Sequence, residues 1–379
     1  SYYKKQAAGI DLELWVFPPN EKPYQLKKKD FTDIESPSGV YSEIRILVSN
    51  LHDVFRVGDI YVFRVIKNQK TIFAEGSGYY INATIPTVKA SLTVRIPQGW
   101  NLRHMLFNPI DDVVASQAEN KWEWTALNIP ALTKEKSARN TVQKRLASIY
   151  YSAQAADSND QAFPLLNFPT WESVSSYVYG ISAPQVQGSL AIKAKAIELT
   201  KEDSTDLERI KSIARFVQKV NYSSISIDLE NGNGYTPRPA QEVLDTYFGD
   251  CKDKANLMRS LLQEVGITAY PVVCLSNSNN REINPEWPSP YQFNHCIIAI
   301  QHEPVLGWST SVQHEKLGNL LIFDPTDPLA SPGYIHTDLQ QENVLIGAPT
   351  INPLIEIPAL RPEESSTRMT ITATLDEHG

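Results

Sequence analysis

The stretch YFGDCKDKANLM at 247–258 sets one of only three cysteines between a Gly-Asp turn and an apolar run. Two accounts fit it. Asp250 can cap a helix over 251–265 with Asp253 three residues on, so GDCKD is a complete capping device whose cysteine merely fills space. Alternatively, Cys251 takes the first helical position, where unpaired backbone N–H groups and the helix dipole favour a thiolate, and Lys252 and Lys254 add positive potential. A thiolate nucleophile needs a general base and a group to orient that base.

Seven histidines are available. His295 opens the strand-like HCIIAI directly after the loop EWPSPYQFN, which puts its side chain at the mouth of a cleft. His302, at the far end, is an odd number of residues away and faces the opposite side about 23 Å distant at ~3.3 Å per residue. His52, His104 and His378 lie outside the region of helix and sheet, and His314 and His336 sit in polar sequence that reads as surface or loop. Asp324 follows the apolar LLIF and precedes Pro325, which ends the strand. It either orients the base or caps the DPTD turn, a role Asp327 fills equally well. Cys274 and Cys296 fall inside strands, where a free cysteine behaves as a small apolar residue; Cys296 alternates away from His295 toward the core.

The elements that must position these groups change character along the chain. Up to about residue 130, short alternating bursts (IDLELWVF, YSEIRILVS, DIYVFRVI, SLTVRIP, KWEWTAL), separated by turn chemistry such as PPNEKP, predict a mostly antiparallel, sandwich-like β domain with no catalytic constellation. From about 171 the period becomes helical. In STDLERIKSIARFVQKV, Thr205 and Glu208 form a capping box and Ile210, Ile213, Ala214 and Val217 share one face. NGNGYTPRP at 231–239 predicts a loop. The cysteine helix presents Ala255, Met258, Leu261, Leu262 and Val265 on one face and stops at Gly266. Three strands follow, TAYPVVCLS, NHCIIAI and NLLIFD. The expectation is an α+β chain with a β-rich domain over 1–165, a helix-on-sheet domain over 166–350, and a linker plus the start of a further β module over 351–379, as in a piece of a longer protein.

Composition narrows the function. A net charge of −8 and basic clusters no longer than KKK at 27–29 argue against a nucleic-acid surface. Apolar runs such as CIIAI are far shorter than the ~20 residues that span a bilayer. Three cysteines and no CxxC make a disulfide framework or a cysteine zinc site a poor fit, and no DxDxDG-type calcium loop occurs. No cofactor or metal is predicted.

GDCKDKANLMRSLLQEVGI, then NHCIIAI, then FDPTD resembles the transglutaminase-like superfamily, whose core is a papain-like thiol fold. Residues from about 40 to 180, including VGDIYVF, WEWTALNIPAL and TWESVSSY, resemble the β-rich domain of unknown function that precedes this core in many bacterial proteins. The resemblance implies Cys251 as nucleophile, His295 as general base and Asp324 as its orienting partner. It implies an oxyanion donor from an upstream side chain, Tyr222 in KVNYSS first and Tyr235 second, and Asn294 as a cleft residue. The implied function is attack on a peptide or side-chain amide, hydrolytic as in a cysteine protease or deamidase. The alternatives are a cross-linking transglutaminase, an acyltransferase, or a non-catalytic module that binds peptide or polysaccharide. A protein or peptide substrate and an exported, periplasmic or cell-surface setting go with it.

Overall fold

The computed structural model describes residues 2–3, 10–35, 41–42, 44–49, 56–68, 73–133, 146–155, 166–226, 234–276, 282–305, 307–365 and 369–374. His52, His378 and residues 231–233 of the expected loop lie outside them. The chain is α+β: a β-rich N-terminal region, then helices against a curled antiparallel sheet.

All five alternating bursts of the N-terminal region contain strands. Strands β1 (Ile10–Phe17), β2 (Tyr24–Lys27) and β3 (Ile60–Lys67) form a sheet in the order β2-β1-β3. The burst at 41–49 supplies the short strands Tyr41–Ser42 and Ile44–Val48. Strands β4 (Glu75–Tyr80), β5 (Thr87–Arg95), β6 (Trp100–Phe107), β7 (Val114–Ala118), β8 (Lys121–Ile129) and β9 (Ser148–Ala155) form two more, β6-β9-β4 and β7-β8-β5. The alternation of KWEWTALNI places Trp122, Trp124 and Ala126 on one buried face, packed with Ala90, Val94 and Ile149.

The second region begins with α1 (Trp171–Ser182), followed by α2 (Leu190–Thr200), α3 (Asp206–Gln218), α4 (Ala240–Thr246) and α5 (Cys251–Glu264). Among the described residues no helix is long and apolar enough to cross a membrane. The Thr205–Glu208 capping box is formed, and α5 stops where Gly266 takes a φ of +81° that L side chains rarely adopt. The sheet has six strands where the sequence suggests three. To β12 (Ala269–Cys274), β13 (His295–Gln301) and β15 (Gly318–Phe323), which follow β10 (Asn221–Tyr222) and β11 (Phe248–Gly249), it adds β14 (Ser311–His314), β16 (Asn343–Ile346) and β17 (Leu354–Glu356). The order is β14-β15-β13-β12-β16-β17, antiparallel throughout. The added strands are three or four residues long, too short to show a period.

Strand β13 is covered on both faces, which is why CIIAI reads as a continuous apolar run. Ile298 and Ile300 meet Leu257, Met258 and Leu261 of α5, while Ile297 and Ala299 meet Ile335, Leu339 and Ile357 on the other side. That second cover corrects the expected linker from 351. Ile351, Ile357 and Leu360 are buried in this layer and β17 pairs with β16, so the segment completes the sheet. The strand expected in TRMTITATL is absent from its described part, 369–374, which is exposed.

The two regions meet on the loop that precedes His295. Phe73 of the β-rich region inserts edge-on among Phe168, Tyr177, Tyr235 and Tyr291 at ring distances of 4.9–5.7 Å. Arg103 stacks 4.0 Å over Trp287, and Ser289 donates to the buried Glu75 carboxylate.

Candidate active site

The capping device of GDCKD is formed, and the cysteine opens the helix. Asp250 accepts from the Asp253 N–H and the Asp253 carboxylate accepts from the Asp250 N–H, a reciprocal capping box, and Cys251 stands at the first helical position just inside it. Gly249 is required sterically, since a Cβ there would come within 2.7 Å of the Asp253 Cβ. The lysines differ from expectation. Lys252 is paired with Asp250, so its charge is largely answered locally. Lys254 is buried and donates to the carbonyls of Gln218 and Val220 at 3.1 and 3.0 Å. It thereby anchors the start of β10, which runs parallel to β11 with Tyr222 opposite Gly249. Tyr222 and Cys251 thereby line the same cleft. Burial first, then the neighbouring Cys251 and Asp250, push the Tyr222 phenol up, so it remains a protonated donor at neutral pH.

His295 and Asp324 come from neighbouring strands and meet directly, with 2.8 Å between His295 Nε2 and Asp324 Oδ2. Asp324 uses one oxygen for the turn and the other for His295. Oδ1 accepts from the Thr326 N–H at 2.8 Å and its hydroxyl at 2.7 Å, closing the turn, while Oδ2 holds the imidazole. Asp327 caps separately, accepting from Leu329 N–H at 2.9 Å. Burial disfavours the imidazolium, but the hydrogen bonds to Asp324 and to Cys251 outweigh it and raise the His295 pKa to about 10. For Asp324, burial works upward and is overcome by His295 and Thr326, leaving its pKa below the ordinary carboxylate value.

Cys251, His295 and Tyr222 line a cleft of about 270 Å³ together with Tyr235, Asn294 and Arg259. The Tyr235 ring packs against Phe73, 5.2 Å away, in the aromatic cluster, and Tyr222 lines the same cleft as Cys251. Asn294 lies at the cleft wall, but both ends of its amide are engaged by the Ser276 backbone at 2.7 and 3.0 Å, so it clamps the β12–β13 connection. Cys274 and Cys296 are buried thiols whose pKa values burial pushes up. Of the other histidines, His104 meets Trp124 edge-on and His314 corrects the sequence reading. It ends β14, is buried, and bonds the Asn352 carbonyl at 2.8 Å, a structural role invisible in its polar neighbours. Sequence reasoning also missed Thr326, though DPT itself is the signal, and Arg259, the one charge inside NLMRSLL. Among the described residues no cluster of three metal-ligating side chains exists.

Residues 193–308, which contain Cys251 and His295, match the family model of the transglutaminase-like superfamily. The chain carries a transglutaminase-like core. Residues 5–133 match a Domain of Unknown Function, DUF3857, so the β-rich region before the transglutaminase-like core is of that family. A crystal structure of a "putative protease" from Parabacteroides distasonis overlays with a TM-score of 0.65 at 15% identity, covering 94% of this chain and 63% of its own. The fold is shared, and the chain spans less than two thirds of that relative. A "putative cysteine protease" from Cytophaga hutchinsonii matches at 12% identity over 77% of this chain and 85% of its own, with a TM-score of 0.27. Red sea bream transglutaminase matches at 13% identity over 67% and 50%, with a TM-score of 0.19. Overlays at those two scores do not establish a common fold. No curated protein sequence matches the chain.

Proposed function

We propose that the transglutaminase-like core, taken as the unit that begins near residue 166, is a thiol hydrolase acting on peptide or side-chain amides, with Cys251, His295 and Asp324 as its triad. The observation that carries this reading is the 2.8 Å contact from Asp324 to His295 Nε2, which leaves the other ring nitrogen for the thiol at the N-terminus of α5. In this reading the Cys251 thiolate attacks the amide carbonyl carbon. The carbonyl π electrons move to oxygen, where the Cys251 N–H and the Tyr222 hydroxyl stabilise the oxyanion. The imidazolium gives its proton to the departing amine and a thioester remains. Neutral His295 then takes a proton from water, hydroxide attacks the thioester, and the acid leaves as the thiolate and imidazolium are restored.

Hydrolysis is favoured over cross-linking because Tyr222, beside the nucleophile, is 54% exposed, and an enzyme that transfers to a second amine must keep water from the thioester. The test is iodoacetamide alkylation at pH 6.5, read by peptide mass spectrometry. Cys251 is expected to label far faster than Cys274 and Cys296, and His295→Ala to slow it at least about tenfold. Slow labelling of Cys251 that is indifferent to His295→Ala would sink the proposal.

A further inference from the structure

One cation of the cleft is not explained by the triad. Helix α5 turns Cys251, Ala255 and Arg259, four residues apart, toward the same wall, and all three line the cleft. Arg259 lies about 12 Å further along the axis at ~1.5 Å per residue, and helical side chains lean back toward the N-terminus, here toward the thiol. It is 6% exposed. Its Nε donates to the Ala269 carbonyl at 3.2 Å and Nη1 to Asn256 Oδ1 at 3.4 Å, while Nη2 has no hydrogen-bond partner among the described residues. The other cations of this helix and its approach are matched. Lys252 pairs with Asp250, Arg238 with Asp253 at 3.0 Å and Glu242 at 3.2 Å, and Lys254 with two carbonyls. Arg259 has no carboxylate partner among the described residues. A guanidinium is the group best shaped to take one bidentately, and burying it uncompensated is costly. Burial accordingly lowers the Arg259 pKa to about 10, with only Cys296, Tyr179 and Tyr270 acting in the other direction.

We infer that Arg259 is a specificity residue of the cleft, and that the substrate is a peptide carrying a carboxylate within a few bonds of the amide attacked by Cys251. The inference rests on Cys251 being the nucleophile. Two sources share this chemistry, an acidic side chain and a terminal α-carboxylate. The competing role is a tie between α5 and β12 through the Ala269 carbonyl, with the guanidinium edge turned to the shallow hollow behind it beside Tyr179 and Tyr270. That role predicts no charge preference at the thiol.

The test uses three alkylating probes on one skeleton: N-iodoacetyl-glutamine with a free α-carboxylate, N-iodoacetyl-isoglutamine with a free side-chain carboxylate, and the neutral diamide. Rates at Cys251 are read by peptide mass spectrometry in the wild type, Arg259→Met and Arg259→Lys. One carboxylate probe is expected to exceed the diamide about tenfold or more, the size of a charge-assisted hydrogen bond, and which one does so names the source. Arg259→Met should bring the ratio near one and Arg259→Lys should give an intermediate value. A wild-type ratio near one, or a high ratio that survives Arg259→Met, overturns the inference. The ratio within each protein is the readout, and if Arg259→Met does not fold, an unchanged ratio in Arg259→Lys overturns it as well. Three equally slow probes, with labelling indifferent to His295→Ala, would overturn the triad reading and this inference together. Three equally fast ones would overturn this inference alone.

Discussion

Strands β3 and β13 are built from similar residues, IYVFRVIK and HCIIAIQ, and have opposite fates. In β3 almost every position is exposed, with Phe63 at 55% and Val62 at 44%, whereas Ile297 through Ile300 of β13 are sealed from solvent. The difference lies in the layers around them. Strand β13 is sandwiched between α5 and the 335–360 segment, so the backbone that carries His295 is held from both sides. The proposed triad would need that rigidity, because an imidazole displaced by an ångström loses its partners. Among the described residues the β-rich region has a well-packed core around Trp122 and Trp124 and meets the segment before His295 through side chains that include Phe73, Glu75, Arg103 and Tyr150.

Four changes would break or sharpen this contrast. Phe73→Ala is expected to have the largest effect. It empties the centre of an aromatic cluster belonging to the second region and should cost about 3–5 kcal/mol in urea-monitored unfolding. A cost below about 1 kcal/mol would mean the two regions are energetically independent. Next, Asp324→Asn removes the charge that holds His295 as imidazolium. Alkylation of Cys251 at pH 6.5 should slow about 10- to 100-fold while the fold persists, and an unchanged rate would show that Asp324 serves its turn alone.

Glu75 tests the seam between the regions. Burial, only partly offset by Ser289, Arg103 and Trp287, raises its pKa to about 7. The folded protein therefore holds that proton more tightly than the unfolded chain, so stability is highest below pH 4.5 as far as this group is concerned and falls as pH rises through about 7. Glu75→Gln should flatten that decline and add about 1–3 kcal/mol at pH 8 in thermal or urea denaturation. An unaltered pH profile would count against a buried Glu75. The smallest effect is expected for Val62→Thr on the open face of β3, within about 0.5 kcal/mol. A larger loss would reveal that β3 is covered after all.

The helix that carries Cys251 was legible because its parts are local. The Asp250–Asp253 box, the helix start at Cys251 and the stop at Gly266 are decided within a few residues, and a capping rule reads them directly. Asp324 was legible only as a choice between a turn and a base partner. A single carboxylate satisfying both through different oxygens is a geometric outcome that spacing cannot show. His314 and the strands β14, β16 and β17 were missed for a related reason. Each depends on partners far along the chain, such as Asn352 for His314 and β16 for β17.

The sequence by itself determined where the capped helices start, which strands alternate, and which cysteine opens a helix, because those properties follow from hydrogen bonds and periodicity within one turn or one strand. Only the tertiary structure decided that Tyr235 packs in the aromatic cluster around Phe73, that Lys252 is answered by Asp250, that Arg259 has no carboxylate partner among the described residues, and that residues beyond 351 close the sheet. Those outcomes depend on distances and desolvation set by segments that meet only after the chain has folded, when burial makes an unmatched charge or hydrogen bond costly.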